Sequence, residues 1–382
     1  MTALDSDLRF SSIAEVIERL EPSYPVFCIF PDVLRARAKA FVEGFPGTVL
    51  YAVKCNPHPY VLEALAEGGI SHFDTASITE IATIARLMPE ARCYFNHPVK
   101  GRGALDAAAK VYGLEDYVVD HADELDKLIS IAGTDITVEV RIATPKGKAV
   151  YDLSAKFGAT PDDAAALLKE ARQRGCRTAL AFHVGSQCTD PSAFRVAIEL
   201  AAKVRDKAGV PLEYLDVGGG FPAIHKMNVP PLADYFGAIA RACDEFGFDI
   251  PLLAEPGRAL VADGCSVLTQ VHLRKGDDLY INDGIYGCLS EIRDGDLDPP
   301  VRAVTRAGPL AGPTQPFRIF GPTCDSLDVL KLPFHLPETI SEGDWIEFGQ
   351  MGAYSIGMQT GFNGFITDTI VRIAGMHEEF VY

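Results

Sequence analysis

Long apolar runs are absent from this chain of 382 residues. No stretch of about 18 or more apolar residues occurs, so no membrane-spanning helix is expected. The first seven residues include two aspartates and no basic residue, and no hydrophobic stretch follows them, which argues against a signal peptide. The nine cysteines form no CxxC pair, and the histidines show no HxH or HxxxH spacing. These absences predict a cytoplasmic protein with reduced thiols, without a disulfide framework and without a metal site.

Basic residues are also scarce. The chain has 35 lysines and arginines but 52 aspartates and glutamates, which gives a net charge of −17. Such a surface repels nucleic acid and anionic membranes, so we expect a small-molecule substrate and neither of those partners. Apolar residues make up 48% of the chain, enough for a sizeable interior. The length predicts two domains.

Strand-like and helical segments alternate regularly through the first two thirds of the chain. Eight strand–helix units over roughly 210–230 residues favour a (β/α)8 barrel, because doubly wound sheets rarely contain so many. The predicted strands are Val49–Lys54, Ile70–Thr75, Cys93–Asn96, Tyr117–Asp120, Thr137–Ala143, Leu180–Gly185, Tyr214–Gly219 and Leu252–Gly257.

Helical periodicity almost disappears after Arg258, and short β-prone runs separated by Pro and Gly replace it. These runs predict an all-β second domain. The fold class is therefore α/β, a (β/α)8 barrel with a C-terminal all-β domain. Before the barrel, residues 1–24 read as a short helical arm and Pro25–Phe30 as a strand. The predicted strands of the second domain are Val267–Leu273, Leu279–Asp283, Phe317–Gly321, Asp344–Phe348 and Ile366–Ile373.

Polar residues lie at nearly every predicted barrel strand end, where barrel enzymes place their chemistry. Lys54 is the most unusual of them, since a buried lysine readily loses its charge and its neutral amine can form a Schiff base. The alternative is a lysine that extends to solvent at the rim. The strand-end residues are Lys54, Asp74, Asn96, His121, Arg141, His183, Gly218–Gly220 and Glu255.

The glycine run Gly218–Gly220 predicts a phosphate site, because glycine lets backbone amides approach an anion closely. A tight turn is the alternative interpretation. Arg258 could join the same phosphate, and Glu255 supplies a carboxylate nearby. A lysine, a phosphate site and a carboxylate together suit pyridoxal 5′-phosphate (PLP), with Glu255 keeping the pyridine nitrogen protonated and His183 stacking on the ring.

An ordered set of motifs spans almost the whole chain and resembles the PLP-dependent ornithine/diaminopimelate/arginine decarboxylase family, which has an alanine-racemase-type barrel. The resemblance implies a barrel at residues 30–264 and a β-domain at 265–382, completed by the arm 1–29. It also implies a head-to-tail homodimer with active sites at the subunit boundary. The motifs are Tyr51–Asn56, Phe73–Ser77 with Glu80, Val140–Ile142, Lys156–Gly158, His183–Ser186, Asp216–Phe221, Glu255–Arg258, Gly321–Asp328, Gly352–Tyr354 and Phe362–Phe365.

The resemblance also implies roles for individual residues. Lys54 carries the cofactor, His183 stacks on its ring and Glu255 pairs with the pyridine nitrogen. Cys324 protonates the substrate carbanion and Asp325 binds the distal amine, both from the partner subunit; a buried apolar role is the alternative for Cys324. Tyr286 and Phe362 complete the expected substrate contacts. The phosphate ligands implied are Ser186, Gly218, Gly219, Gly220, Arg258 and Tyr354, and the supporting residues are Asp74, Glu80 and Arg141.

The sequence departs from the family pattern at Glu291, which by simple counting falls where an aspartate usually grips the distal ammonium. The resemblance implies a decarboxylase of a basic amino acid, with L-ornithine to putrescine in polyamine biosynthesis as the leading expectation. Because the carboxylate of Glu291 extends one methylene further, lysine, arginine or a shorter diamino acid remain alternatives.

Three other kinds of protein remain alternatives on the same barrel. An amino-acid racemase prefers an unprotonated pyridine nitrogen and a second base, normally tyrosine, so Glu255 and Cys324 argue against it. Diaminopimelate and carboxynorspermidine decarboxylases share the barrel, but the segment that corresponds to residues 324–326 of this chain differs in them. A non-catalytic relative would typically lose the cofactor lysine or the phosphate ligands, whereas Lys54 and Arg258 are both present.

Overall fold

The structure is a computed structural model, which describes residues 8–144, 149–151, 156–223, 229–294 and 297–375. Its first elements are β1 (Arg9–Phe10), α1 (Ile13–Leu20), β2 (Val26–Ile29) and α2 (Pro31–Gly44). The side chain of Ser12 caps α1 by accepting a hydrogen bond from the backbone N–H of Glu15. The helix buries one apolar face, as the spacing in the sequence predicts.

Eight parallel strands then close into a barrel, which confirms the predicted fold class. The barrel strands are β3, β4, β5, β6, β7, β9, β11 and β12, whereas β8 and β10 pair as a separate antiparallel ribbon. In chain order the elements are β3 (Thr48–Ala52), α3 (Pro59–Glu67), β4 (His72–Thr75), α4 (Ile78–Leu87), β5 (Arg92–Phe95), α5 (Arg102–Lys110), β6 (Asp116–Val119), α6 (Ala122–Ala132), β7 (Thr137–Ile142), β8 (Ala149–Tyr151), α7 (Pro161–Gln173), β9 (Arg177–Phe182), β10 (Ser186–Cys188), α8 (Ser192–Ala208), β11 (Leu215–Asp216), α9 (Leu232–Phe246), β12 (Leu252–Ala254) and α10 (Arg258–Val261).

The remaining elements build a second, mostly β unit that also takes up the N-terminal arm. Strand β2 lies between β20, to which it is parallel, and β13, to which it is antiparallel. This pairing agrees with the predicted domain limits, which stay a prediction. The elements are β13 (Cys265–Lys275), β14 (Asp278–Ile281), α11 (Ser290–Asp294), β15 (Val301–Thr305), β16 (Gly308–Pro309), β17 (Thr314–Phe320), β18 (Phe334–Pro337), β19 (Trp345–Phe348) and β20 (Thr369–Ile373).

Seven of the eight barrel strands end earlier than the sequence predicts, and the largest differences are in β3, β9, β11 and β12. Strand β3 ends at Ala52, and Lys54 lies in the 3₁₀ turn Val53–Cys55 that follows. Strand β9 ends at Phe182, so His183 lies just beyond it. Strand β11 contains only two residues, because the backbone turns at Gly218, which has a φ of +68°. These early ends place the polar residues in loops at the rim.

An aromatic cluster behind the barrel fixes the end of the glycine loop. Phe221 directly follows Gly220, and its ring stacks on that of Phe194 with centroids 5.1 Å apart. The ring edge of Phe41 meets the same ring at 5.6 Å. Because these side chains are buried, Phe221 cannot move without losing its packing against Phe41 of α2 and Phe194 of α8. The described helices include none that is long and apolar enough to cross a membrane.

Candidate active site

Lys54 meets a carboxylate from the neighbouring strand at the barrel rim. Its Nζ donates to Oδ2 of Asp74 at 2.5 Å, and Asp74 is only 1% exposed, whereas the lysine side chain is 44% exposed. Burial disfavours the ammonium, but the charges of Asp74 and Glu255 outweigh this effect and raise the pKa of Lys54. Lys54 is therefore charged in the cofactor-free site. The expectation of a lysine that loses its charge on burial is wrong for this state.

Glu255 lies at the end of β12, and its Oε1 accepts a hydrogen bond from the side-chain amide of Asn96 at the end of β5. Burial and the charge of Asp74 raise the pKa of Glu255 from 4.5 to about 7, although Lys54 opposes the shift. The carboxyl group can therefore hold or release a proton near neutral pH. In its ionised form, a carboxylate beside a pyridine ring keeps the ring nitrogen protonated.

The glycine run is packed so closely that no side chain fits there. A Cβ on Gly218 would lie 2.0 Å from the carbonyl oxygen of Phe182, and one on Gly219 would lie 2.6 Å from that of Glu255. Gly220 has a φ of +102°, and its Cβ would lie 2.4 Å from the oxygen of Gly185. These contacts show a loop pressed against the ends of β9 and β12. Glycine is required at these positions for that reason.

His183 adjoins this loop. Its Nδ1 accepts a hydrogen bond from the backbone N–H of Gly185 at 2.9 Å. Burial lowers the pKa of His183 well below 6.5, and the charges of Arg141 and Lys54 act in the same direction. The imidazole is therefore neutral near pH 7, which suits a ring that packs against another ring beside an ammonium.

The supporting residues occupy neighbouring positions. Arg141 is half-buried in β7, with its guanidinium 5.8 Å from the ring centroid of Phe157. Glu80 caps α4, because its Oε2 accepts from the backbone N–H of Ala76 at 2.6 Å. Ser186 begins β10 and is half-buried. The structure shows the positions of these three side chains, and their predicted contacts with a cofactor stay a prediction.

Arg258 follows β12 at the start of α10 and is 4% exposed. Its guanidinium lies 5.1 Å from the ring centroid of Tyr354, whose backbone N–H donates to the carbonyl of Cys55 at 2.9 Å. The structure thus brings Arg258 and Tyr354, two of the predicted phosphate ligands, together beside the turn that contains Lys54.

Glu291 has a different place from the one expected for it. Both of its carboxylate oxygens accept hydrogen bonds from Arg258, at 2.6 and 2.8 Å, and its side chain is only 12% exposed. A carboxylate held in this bidentate pair is not available to bind a substrate ammonium. We therefore correct the substrate-binding role of Glu291. The counting that placed it there did not anticipate that α11 turns this side chain toward α10.

The remaining predicted substrate residues form a second cluster on the surface of the β-unit. The hydroxyl of Tyr286 donates to Oδ2 of Asp325, and this bond lowers the pKa of Asp325 below 3.8. The rings of Tyr286 and Phe362 lie 4.9 Å apart. Cys324 is exposed, which contradicts its alternative role as a buried apolar residue, and its backbone N–H donates to Asn363 at 3.1 Å.

Sequence reasoning overlooked a chain of buried acids inside the barrel. Tyr214 donates to Oε2 of Glu139 at 2.9 Å and also lies 3.3 Å from Oδ1 of Asp116. Burial and the charge of Glu255 raise the pKa of Glu139 well above 4.5. The available signal was an acidic residue in the middle of the otherwise apolar run Thr137–Ile142. Sequence reasoning had also noted Asn96 without recognising Glu255 as its partner.

A closed parallel barrel with converging polar groups at the C-terminal rim defines the class of TIM-barrel enzymes. Within this class, residues 32–262 match the pyridoxal binding domain of the pyridoxal-dependent decarboxylases. That match covers more than half of the chain. The protein therefore belongs to the pyridoxal-dependent decarboxylase family, which confirms the predicted family and PLP as its cofactor.

Individual relatives resemble the chain over most of its length. It is 36% identical to a lysine/ornithine decarboxylase from Selenomonas ruminantium over 336 residues, 85% of this chain and 83% of that protein. It is 38% identical to an ornithine decarboxylase from Schizosaccharomyces pombe over 369 residues, 90% and 81% of the two chains. The lysine/ornithine decarboxylase of Vibrio vulnificus, crystallised with putrescine, has a TM-score of 0.81 at 31% identity and covers 96% of this chain and 99% of its own.

The residues present fit PLP. Nε of Arg258 is buried without a hydrogen-bond partner. A buried N–H donor without a partner is costly, and a phosphate oxygen would satisfy it. Within the described part of the chain, no group of three or more His, Cys, Asp or Glu side chains could hold a metal ion.

Proposed function

We propose that the protein decarboxylates a basic amino acid, with L-ornithine as the preferred substrate and putrescine as the product. The observation that carries this proposal is the pairing of Lys54 with Asp74 beside Glu255 at the barrel rim. The relatives named for ornithine or lysine decarboxylation support the choice of substrate class.

The bound cofactor would supply an electron sink for the pair of electrons left when CO2 departs. Lys54 would hold the cofactor, and Asp74 would accept a hydrogen bond from Nζ of Lys54. Glu255, as a carboxylate, would accept a hydrogen bond from the protonated pyridine nitrogen and so keep the proton there. The neutral His183 would cover one ring face. Arg258 with the backbone N–H groups of Gly219 and Gly220 would hold the phosphate, since the N–H of Gly218 already donates to Oδ1 of Asp216 at 2.7 Å.

The second cluster would bind the substrate and return its proton. The carboxylate of Asp325 is half-buried and stays ionised because Tyr286 donates to it, so it would bind the distal ammonium of the substrate. The thiol of Cys324 would protonate Cα after CO2 has left. The ring of Phe362, packed on Tyr286, would line the apolar part of the substrate chain.

We further propose a homodimer in which each site combines Lys54 of one subunit with Cys324 and Asp325 of the other. Large apolar side chains are exposed around these two residues, although such patches are rarely left open on a soluble monomer. A symmetric dimer would bury the patch twice and complete two sites. The exposed apolar residues are Leu327, Met358, Phe362, Phe365 and Ile366, between 43% and 66% exposed.

The substrate is tested by measuring CO2 release from L-ornithine, L-lysine, L-arginine and 2,4-diaminobutyrate. The proposal expects the highest kcat/KM for ornithine. A panel in which lysine or arginine is preferred would contradict the choice of ornithine but not that of a basic amino acid. Absence of CO2 from all four, with bound PLP, would contradict the activity itself.

Asp325→Asn tests the proposed site of the distal ammonium. Loss of a charge-assisted hydrogen bond should raise KM for ornithine at least ten-fold, since such a bond contributes about 1.5–3 kcal/mol. Asp278→Asn is the matched control, because Asp278 pairs with Arg318 elsewhere in the β-unit. An unchanged KM in Asp325→Asn would contradict the assignment.

We also propose a cytoplasmic location. All nine cysteines are free in the structure, as expected in a reducing compartment. Cell fractionation would test this location, and recovery of the protein outside the cytoplasm would contradict it.

A further inference from the structure

The pair between Arg258 and Glu291 joins the two units of the fold at the cofactor site. Arg258 begins α10 beside the barrel, and Glu291 belongs to α11 of the β-unit. The guanidinium is 4% exposed and the carboxylate 12%, so both charges are largely removed from water. A charge pair at this depth restricts both side chains far more than a surface pair does.

The contact uses the guanidinium in a specific way. Nη1 and Nη2 of Arg258 donate to the two oxygens of Glu291, at 2.6 and 2.8 Å. This bidentate geometry fixes the plane of the guanidinium as well as its position. The Nε donor is left over, and it is buried without a hydrogen-bond partner. The face of the group lies over the ring of Tyr354, which fixes it from a second direction.

We propose that Glu291 is a positioning residue for the cofactor, which holds Arg258 so that its Nε–H is directed at the phosphate of PLP. The inference rests on the phosphate position proposed above. Arginine carries five N–H donors, so pairing with Glu291 leaves donors for an anion. Glu291 thus acts on the cofactor through Arg258 and does not contact the substrate.

A rival interpretation makes the opposite prediction. The negative charge of Glu291 could oppose the phosphate and weaken its binding, because like charges repel across a poorly solvated site. Removal of the carboxylate would then strengthen PLP binding. The two interpretations are therefore distinguished by the direction of the change in Kd.

The experiment compares the Kd of PLP with that of pyridoxal, which has no phosphate, for cofactor-depleted full-length protein. Glu291→Ala should raise the Kd of PLP at least ten-fold and leave that of pyridoxal within about two-fold. Arg258→Ala should do the same, and the double variant should be no worse than Arg258→Ala alone. Glu291→Gln keeps the shape and one acceptor oxygen, so it should show a smaller loss, and it replaces the alanine variant if that fails to fold.

Glu347→Gln is the matched control. Glu347 is a fully buried carboxylate that accepts a hydrogen bond from Arg302 at 2.6 Å, within the sheet of the β-unit. Its replacement should lower thermal stability and leave the ratio of the two Kd values unchanged. A merely structural role for Glu291 would give this same result.

Two outcomes would overturn the inference. One is an unchanged ratio of the two Kd values in both Glu291 variants, whether neither Kd changes or both rise equally. The other is tighter PLP binding. If Arg258→Ala also leaves the ratio unchanged, the proposed phosphate position is itself wrong. If Arg258→Ala loses PLP but the Glu291 variants do not, only the role of Glu291 is refuted.

Discussion

Glu255→Gln probes the electrostatics of the barrel interior in cofactor-free protein. Glutamine has the same shape, and its oxygen can still accept the hydrogen bond from Asn96. The substitution therefore removes the titration of the side chain with little change in packing. The wild-type protein should therefore show a contribution of Glu255 to the pH dependence of its stability, and the variant should lack that contribution.

The magnitude follows from the shift in the pKa of Glu255, which burial and the charge of Asp74 raise from 4.5 to about 7. A carboxyl group whose pKa is higher in the folded state stabilises the fold fully below its unfolded pKa. This contribution is lost as the pH rises through the folded value. The free energy of unfolding of Glu255→Gln relative to wild type should therefore increase by about 2.5 kcal/mol between about pH 5 and about pH 8.

Urea unfolding of both cofactor-free proteins at the two pH values measures this difference. The variant should be the more stable protein at the higher pH. Glu338→Gln is the control, because it makes the same substitution at an exposed position of the β-unit. A difference that is the same at both pH values, or that shrinks as the pH rises, would refute the electrostatic account of Glu255.

The remaining predictions concern the loaded enzyme. In Glu255→Gln, PLP should be retained while decarboxylation slows by orders of magnitude, since the pyridine nitrogen loses the carboxylate that keeps it protonated. A near-normal rate constant in single-turnover assays would contradict this. Borohydride reduction followed by peptide mapping should place the pyridoxyl group on Lys54, and an adduct on Lys100 or Lys156 would overturn the assignment. Iodoacetamide should alkylate Cys324 first, because the other eight cysteines are buried, and should abolish activity; full activity after complete modification of Cys324 would exclude its role as proton donor.

The architecture could be predicted because the periodicity of apolar residues indicates the alternation of strands and helices. The exact strand ends could not, since β9 and β11 stop where the glycine loop packs against neighbouring backbone. Strands β15, β16 and β18 were missed as well. Their register depends on pairing with distant partners, such as β19 for β15, and short runs rich in Pro and Gly give no local signal for such pairing.

The same distinction applies to the site. Lys54 and Glu255 could be located because a barrel brings its strand ends to one rim. The charge of Lys54 could not be predicted, because it depends on Asp74 and Glu255, which other strands supply. The position of Glu291 was wrongly predicted for a related reason. Its partner Arg258 is 33 residues away in the sequence, and only the tertiary structure brings the two side chains together.

Subunit complementation tests most directly the claim that Lys54 and Cys324 serve one site from two chains. Lys54→Ala and Cys324→Ala should each be nearly inactive alone. In a mixed dimer one site would contain both substitutions and the other would contain neither. After demonstrated subunit exchange, the mixture should therefore recover up to about one quarter of the wild-type activity per subunit, because half of the dimers are mixed and each has one intact site. Activity that stays at the level of the separate variants would contradict a shared site.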